Sequence, residues 1–194
     1  MTSTNISLIA GLGNPGKSYR ETRHNVGFWL LERLRREFQI NFSPEKKFKA
    51  ETGELNFNNR KVRVIAPSTF MNLSGQSIAS MLSFYRIDPS QLLVIHDDLD
   101  LEPGSVRLKL GGGHGGHNGL RDICSRLGVS TFPRIRIGIG HPGANRDVSS
   151  YVLKRPSVAD RSRIEDAVER ALNVMPEILW GDFQAAMNTL HTDN

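Results

Sequence analysis

Residues 92–100 read LLVIHDDLD: four apolar residues, a histidine, and then three acidic residues interrupted by one leucine. Short continuous apolar runs are typical of strands that are buried on both faces, as in a parallel sheet covered by helices. In such open sheets, ligands bind beyond the carboxyl ends of the strands. The run therefore predicts a central buried strand over residues 92–95, and the polar residues that follow it lie where a ligand site is expected.

Strand and helix patterns alternate on both sides of this run. The other predicted strands are residues 6–12, 48–55, 61–67, 106–110 and 134–140. The predicted helices are residues 22–38, 74–86, 118–127, 158–179 with a break near Pro176, and 183–190. This order, without repeats or low-complexity tracts, predicts one α/β domain over residues 1–194, with a twisted mixed, mostly parallel sheet and helices on both faces.

Three local features of these elements carry further expectations. Thr22 and Ser74 have the hydroxyl side chains that cap helix N-termini, so they are the predicted caps of the first two helices. Residues 106–110 are short and alternating, which indicates a strand near a sheet edge. Residues 134–140, RIRIGIG, alternate basic and apolar side chains, which predicts one buried and one solvent-facing side.

Composition restricts the class of protein and its compartment. The chain has 194 residues, 38% of them hydrophobic and 23% charged, which is typical of a folded globular protein. Its net charge of +5 permits a polyanionic partner without requiring one. The single cysteine, Cys124, excludes an internal disulfide and a cysteine-based zinc site. Because we find neither a signal peptide nor a membrane-length apolar run, we expect a cytoplasmic protein with no membrane association.

Polar residues follow three of the predicted strands. Asn14 follows the first strand, Asn72 follows residues 61–67, and Asp97 follows residues 92–95. If these strands are parallel, their carboxyl ends meet at one edge of the sheet and form a site. His24, at the start of the first helix, is expected near the same edge. It is the candidate general base, with Asp97 as the carboxylate that orients it, although a surface histidine remains the alternative.

The glycine-rich stretch LGGGHGGHNGLRD, residues 110–122, has several possible interpretations. It and GLGNPG, residues 11–16, both fit the dinucleotide pattern G-x-G-x-x-G, but neither has the helix placement or the ribose-binding acid of a dinucleotide site. The spacing of His114 and His117 suggests a metal, but in a glycine loop it does not fix both imidazoles on one face. Since no acidic or cysteine partner is supplied nearby, we expect no metal bound. The remaining interpretation is a tight loop that opens a helix at Asn118 and faces an anionic or carbonyl ligand.

Basic and aromatic residues near these elements favour an RNA partner. Lys109 and Arg136 lie on two predicted strands that are possible neighbours, where together they could bind a phosphate. Tyr19 and Phe70 are possible stacking partners for bases. With no helix or finger motif that reads duplex DNA, this combination favours single-stranded or structured RNA.

Six segments of the chain form a family pattern over roughly residues 6–155: GLGNPG, Y..TRHN.G, TFMNLSG, HDDLDL, KLGGGHGGHNGL and RIGIGHP, in that order. In these segments the chain resembles the bacterial-type peptidyl-tRNA hydrolases. The resemblance implies hydrolysis of the ester that joins a peptide to the 3′-terminal ribose of tRNA, which recycles tRNA from ribosome-free peptidyl-tRNA. It also implies a monomer that needs no metal or cofactor.

The resemblance implies roles for ten residues. The catalytic group is His24 as the base that activates water, Asp97 as its orienting partner, and Asn14 as a residue that helps select substrates with a blocked amino group. Asn72 and Asn118 are implied to hold the substrate and the water. Tyr19, Phe70 and Met71 are implied to line the tRNA end and the peptide. Lys109 and Arg136 are implied to bind the tRNA 5′-phosphate.

Two other classes of function remain open on the sequence. Some relatives on the same fold act in plastids as RNA-binding splicing factors, so a binding protein without catalysis is one alternative. The glycine patterns leave a nucleotide-dependent oxidoreductase as the other. Release of peptide from blocked aminoacyl-tRNA distinguishes the hydrolase from the first, and a titration with NAD tests the second.

Overall fold

The structure is a computed structural model that describes residues 4–191, and in it one mixed sheet organises the chain. Its strands are β1 (Leu8–Gly11), β2 (Ser43–Glu45), β3 (Ala50–Phe57), β4 (Arg60–Pro67), β5 (Leu92–Asp98), β6 (Val106–Leu110) and β7 (Pro133–Gly138). They lie in the order β2-β3-β4-β1-β5-β7-β6. The central strands β4, β1, β5 and β7 are parallel, whereas β3 and β6 run antiparallel to their neighbours. The predicted fold class is therefore confirmed, as is the edge position of β6.

Helices cover both faces of the sheet. They are α1 (Val26–Glu37), α2 (Ser74–Tyr85), α3 (Asn118–Leu127), α4 (Val148–Val152), α5 (Val158–Asn173), α6 (Met175–Trp180) and α7 (Phe183–His191). Helices α1 and α5 contribute to an apolar core on one face, and α2 and α3 to a second core on the other. Successive residues of β5 alternate between these cores, with Leu93 in the first and Val94 in the second. This two-sided burial explains why the strand has a continuous apolar run.

A glycine in α1 allows a close approach that helps to place the site. A Cβ on Gly27 would lie 2.5 Å from the backbone nitrogen of Leu12 and 2.6 Å from the carbonyl oxygen of Ile95. No side chain fits at those distances, so only glycine lets the start of α1 pack directly against Leu12, just after β1, and Ile95 within β5. The residues just before α1 and at the end of β5 are thereby brought together.

The two predicted hydroxyl caps were wrong. Thr22 precedes a short 3₁₀ turn, Arg23–Asn25, rather than α1, and its hydroxyl donates to the carbonyl of Tyr19 at 2.8 Å. A 3₁₀ turn, Met71–Leu73, also precedes Ser74, whose hydroxyl makes no capping hydrogen bond. Tight 3₁₀ turns are frequent at helix N-termini. Here one separates Thr22 from α1, and the other makes Ser74 the first residue of α2 instead of the residue before it.

The other differences from the sequence predictions concern β7 and two short elements. Only Arg136 of β7 is partly exposed, so the predicted solvent-facing side was wrong. Arg134 is buried because its guanidinium donates to the carbonyls of Gly113 at 2.7 Å and Ser130 at 3.0 Å. Strand β2 and helix α4 were not predicted. The expected break before Pro176 is confirmed, since α5 ends at Asn173 and α6 begins at Met175.

Candidate active site

The carboxyl ends of the parallel strands open into a cavity of about 800 Å³. This is the edge at which the sequence predicted a site, and Asn14, Asn72 and Asp97 all line it. The cavity also contains every other residue to which a role was assigned: Tyr19, His24, Phe70, Met71, Lys109, Asn118 and Arg136. The convergence predicted from strand ends is therefore present in the structure.

His24 and Asp97 form a buried hydrogen-bonded pair. The Nδ1 atom of His24 lies 2.9 Å from Oδ1 and 3.0 Å from Oδ2 of Asp97. The 3₁₀ turn before α1 carries the histidine, and the end of β5 carries the aspartate. Burial alone would lower the pKa of His24, but the charge of Asp97 and its hydrogen bond outweigh burial and raise that pKa above its usual value.

A second histidine, His117, binds the same carboxylate. Its Nδ1 accepts hydrogen bonds from the backbone N–H groups of Gly119 at 3.1 Å and Leu120 at 3.3 Å, so it caps α3. An acceptor nitrogen carries no proton, and the proton of neutral His117 therefore lies on Nε2. That Nε2–H donates to Oδ1 of Asp97 at 2.9 Å.

These contacts determine where each proton lies. Burial favours protonation of Asp97, but its interactions with His24 and then with His117 outweigh burial and hold the pKa of Asp97 far below its usual range. The carboxylate can only accept, so His24 donates from Nδ1. Neutral His24 then carries its lone pair on Nε2, the nitrogen that is able to take a proton. We refer to His24, Asp97 and His117 as the histidine cluster.

Sequence reasoning missed His117 and gave a wrong reason for excluding a metal near it. Its acidic partner, Asp97, is twenty residues away in sequence but within hydrogen-bonding distance in space. Potential ligand atoms of the histidine cluster all lie within 4.8 Å of one another, which is a donor set compatible with a metal ion. In the structure both histidines instead direct N–H groups at the carboxylate. The available signal was the position of His117 immediately before a predicted helix.

His96 supports the cluster from behind. Its Nδ1–H donates to the carbonyl oxygen of Asp97 at 2.7 Å, and its side chain is buried. Burial and, after it, the proximity of His117 lower the pKa of His96 to about 3. A neutral imidazole therefore lies beside the carboxylate and adds no positive charge to it.

Two asparagines are held by their side-chain oxygens. Oδ1 of Asn14 accepts the backbone N–H of Met71 at 2.8 Å, and Oδ1 of Asn118 accepts from Arg121 at 2.9 Å. Asn14 is further held by Asn25, whose side chain pairs with both the N–H and the carbonyl of Asn14 at 2.9 Å. With both oxygens used, the amide NH₂ group is the part of each side chain left to donate to a ligand in the cavity.

Two basic residues lie at the open edge of the cavity. Lys109 is exposed on β6, and Arg136 is half-buried on the neighbouring strand β7, where its Nε donates to Asp98 at 2.7 Å. The predicted neighbour relation of their strands is confirmed, although Lys109 is directly opposite Arg134 rather than Arg136. We refer to Lys109 and Arg136 as the basic rim.

Aromatic side chains form another part of the cavity wall. The rings of Tyr19 and Phe70 make an edge-to-face contact with their centres 6.3 Å apart. Phe70 is 55% exposed, so most of its ring is open to a ligand. Met71 is buried next to it, and Asn72 is exposed.

Across residues 4–191, no helix combines the length and the apolar character that crossing a lipid bilayer requires.

Comparisons with known proteins agree with this geometry. The family model described as peptidyl-tRNA hydrolase matches residues 8–194. The chain is 48% identical over 187 residues to peptidyl-tRNA hydrolase of Ruthia magnifica subsp. Calyptogena magnifica, covering 96% of this chain and 98% of that protein. It is 50% identical over 186 residues to the Legionella pneumophila enzyme of the same name, with the same coverage.

A solved structure extends the agreement to three dimensions. The crystal structure of peptidyl-tRNA hydrolase from Acinetobacter baumannii superposes with a TM-score of 0.95 at 44% sequence identity. The superposition covers 99% of this chain and 97% of that one. Identity at this level over nearly the whole length, together with the matching family model, shows that the chain belongs to the peptidyl-tRNA hydrolase family and is a carboxylic ester hydrolase that acts on peptidyl-tRNA.

Proposed function

We propose that this enzyme cleaves the ester between the peptide and the 3′-terminal ribose of tRNA by general-base catalysis, with His24 as the base. The observation that supports this most directly is the hydrogen-bonding pattern of Asp97. The carboxylate receives an N–H from Nδ1 of His24 and another from Nε2 of His117. Nε2 of His24 is thereby left with the lone pair that can accept a proton from water.

The proposed reaction has two steps. Water attacks the ester carbonyl carbon while its proton moves to Nε2 of His24, which gives a tetrahedral oxyanion and an imidazolium paired with Asp97. The oxyanion then collapses, the bond to the ribose oxygen breaks, and the imidazolium returns its proton to that oxygen. The products are the free peptide acid and tRNA with a free hydroxyl, and His24 is neutral again.

Neighbouring residues have supporting roles in this proposal. The NH₂ groups of Asn72 and Asn118 hold the substrate and the attacking water, and donors of this kind also stabilise an oxyanion. Asn14 contributes to the selection of substrates with a blocked amino group. Its NH₂ is the group suited to donate to the carbonyl of a blocking acyl or peptide group, because its side-chain oxygen already accepts the backbone N–H of Met71.

The rest of the cavity accommodates the nucleic acid and the peptide. Tyr19, Phe70 and Met71 form the wall for the tRNA end and the peptide, and the basic rim binds the 5′-phosphate of tRNA. We propose that the enzyme acts as a monomer in the cytoplasm, where translation produces its substrate.

A paired assay tests the proposal. The enzyme is expected to release the acyl group from N-acetyl-aminoacyl-tRNA and to leave free aminoacyl-tRNA largely intact. His24→Ala should lower kcat on the order of 10²–10⁴-fold, because that is the usual contribution of a general base, while binding of tRNA is retained. His114→Ala is the matched control, since His114 lines the same cavity outside the histidine cluster. Normal turnover by His24→Ala would exclude His24 as the base.

A further inference from the structure

Arg23 immediately precedes His24 and is buried, yet the reaction proposed above does not use it. Its guanidinium donates from Nη1 to the main-chain carbonyl of Arg155 at 2.9 Å and of Lys154 at 3.3 Å. The backbone N–H of Arg23 also donates to the carbonyl of Lys154, at 3.2 Å. Three hydrogen bonds thus join the turn that carries His24 to a segment about 130 residues later in the chain.

The same guanidinium packs against the helix before that segment. Its central carbon lies 4.1 Å from the centre of the Tyr151 ring, within the range of a cation–π contact. Its Nη2 lies 3.8 Å from a carboxylate oxygen of Asp160 in the first turn of α5. The Tyr151 hydroxyl in turn donates to the carbonyl of Ile139, just after β7, at 2.7 Å.

The helix held in this way is a wall of the active-site cavity. Val148, Ser149, Val152 and Leu153 line the same cavity as His24. Helix α4 has only five residues, and so short a helix does not keep its position through its own hydrogen bonds. Its distance from His24 therefore depends on tertiary contacts, among which those of Arg23 come from the residue next to the base itself.

We infer that Arg23 is a positioning residue that holds residues 148–153 at a set distance from His24 and thereby determines how tightly the cavity binds its substrate. Arginine suits this role, because its planar group donates in two directions and stacks on an aromatic ring at once. The inference rests on the proposed function for the identity of the cavity as the active site. It concerns substrate binding and not the proton transfer.

Arg23→Met and Arg23→Lys are the variants that test the inference. Methionine keeps part of the apolar stem and removes all donors, whereas lysine keeps the charge but has no planar group to stack on Tyr151. Arg161→Met is the matched control. Arg161 also stacks on an aromatic ring, with its guanidinium 3.7 Å from the centre of Trp29, and pairs with Glu165 at 2.6 Å, but it does not line the active-site cavity.

With N-acetyl-aminoacyl-tRNA as substrate, we expect Arg23→Met to raise KM about tenfold. The variant loses both side-chain hydrogen bonds to the carbonyls of Lys154 and Arg155 but keeps the main-chain hydrogen bond to Lys154. We expect kcat to stay within about threefold of the wild-type value, and the pH dependence of kcat to stay unchanged, because His24 keeps Asp97. Amide hydrogen exchange should become faster in residues 148–155. Arg23→Lys should give a smaller increase in KM, and Arg161→Met none.

Three outcomes would overturn the inference. A fall in kcat with unchanged KM would mean that Arg23 acts on His24 and not on the cavity wall. Unchanged KM and unchanged exchange would mean that the segment is held without Arg23. An equal rise of KM in Arg161→Met would indicate a general loss of structure. None of these results depends on His24→Ala, whose normal turnover would refute the base and leave the result for Arg23 intact.

A second variant keeps the test decisive if Arg23→Met does not fold. Tyr151→Leu removes the ring beneath the guanidinium and the bond to Ile139, while Arg23 keeps its carbonyl acceptors. Like Arg23→Met, it should raise KM. In the double variant Arg23→Lys with Tyr151→Leu, the increase in the logarithm of KM should be smaller than the sum of the increases in the two single variants. Both substitutions act through the same contact, so their effects are not independent. Full additivity would contradict the shared role.

Discussion

The histidine cluster and the basic rim lie in one cavity but are built in opposite ways. In the cluster, the side chains of His24, Asp97 and His117 are at most 10% exposed, and every hydrogen bond among them converges on one carboxylate. In the rim, Lys109 is exposed and Arg136 is half-buried beside Asp98. Protein surrounds the cluster, whereas solvent and salt reach the rim.

The difference in burial determines how strongly solvent and salt screen the charges of each group. Buried charges are screened little, so the cluster can hold a proton at a defined atom at any ordinary salt concentration. Exposed charges are screened, and their attraction for a phosphate weakens as salt rises. We therefore expect changes in the cluster to alter kcat and its pH dependence, and changes in the rim to alter tRNA binding and its salt dependence.

Asp97→Asn is expected to have the largest effect among the variants that test this separation. An asparagine NH₂ in place of one oxygen would face Nδ1–H of His24 and favour the other tautomer, in which Nε2 carries the proton and cannot act as a base. We expect kcat to fall on the order of 10²–10⁴-fold. Steady-state kinetics on N-acetyl-aminoacyl-tRNA measures the effect, with tRNA binding unchanged.

The residual activity of Asp97→Asn should also change its pH dependence. With neutral His24 as the proposed base, activity should be lost as pH falls through its pKa, which Asp97 raises above the ordinary 6.5. Removing the carboxylate charge lowers that pKa and moves the acid limb to lower pH. Asp98→Asn, one residue away, is the control and should leave both kcat and the acid limb unchanged. A large fall in kcat for Asp98→Asn would break the separation between cluster and rim.

His117→Asn sharpens the same comparison with a smaller effect. Asparagine is a good N-cap, so it can replace the acceptor for Gly119 and Leu120, but it is too short to donate to Asp97. Losing one hydrogen bond to a buried carboxylate should lower kcat about tenfold, with little change in thermal stability. The acid limb should move to higher pH, because Asp97 would interact more strongly with His24. Wild-type kcat with normal stability would show that His117 serves only as a cap.

How much of this site the sequence predicts depends on how its residues are placed. His24 and Asp97 were predicted to meet because each lies at the end of an element with a clear pattern, and parallel strands bring such ends to one edge. His117 follows a glycine-rich loop, where residue spacing does not determine direction. Its partnership with Asp97 required the position of α3, which no local pattern supplies.

The missed elements have the same physical cause. Helix α4 has five residues, too few for a periodic pattern, and its position depends on contacts such as those of Arg23 with Lys154 and Arg155. The burial of Arg134 likewise depends on carbonyls of two loops, one of which, at Gly113, lies 21 residues earlier in the chain. Patterns of period two and 3.6 report which face of an element is apolar. They do not report which distant polar groups meet a side chain.

Substitutions in the basic rim should have the smallest effect of these variants, and that effect should be a change in the salt dependence of tRNA binding. If Lys109 contacts one phosphate of tRNA, Lys109→Ala should reduce the slope of log K against log salt by about 0.7–0.9, the amount for one neutralised phosphate. Lys61→Ala is the matched control, because it removes the same charge from a lysine paired with Glu54 at 2.7 Å on a distant part of the sheet. Filter binding of tRNA over a range of KCl concentrations measures both slopes. Equal slopes for wild type and Lys109→Ala would show that Lys109 does not contact a phosphate of tRNA. A fall in kcat at saturating substrate would place it with the histidine cluster instead, because a phosphate contact at the rim makes no contribution to proton transfer at Nε2 of His24.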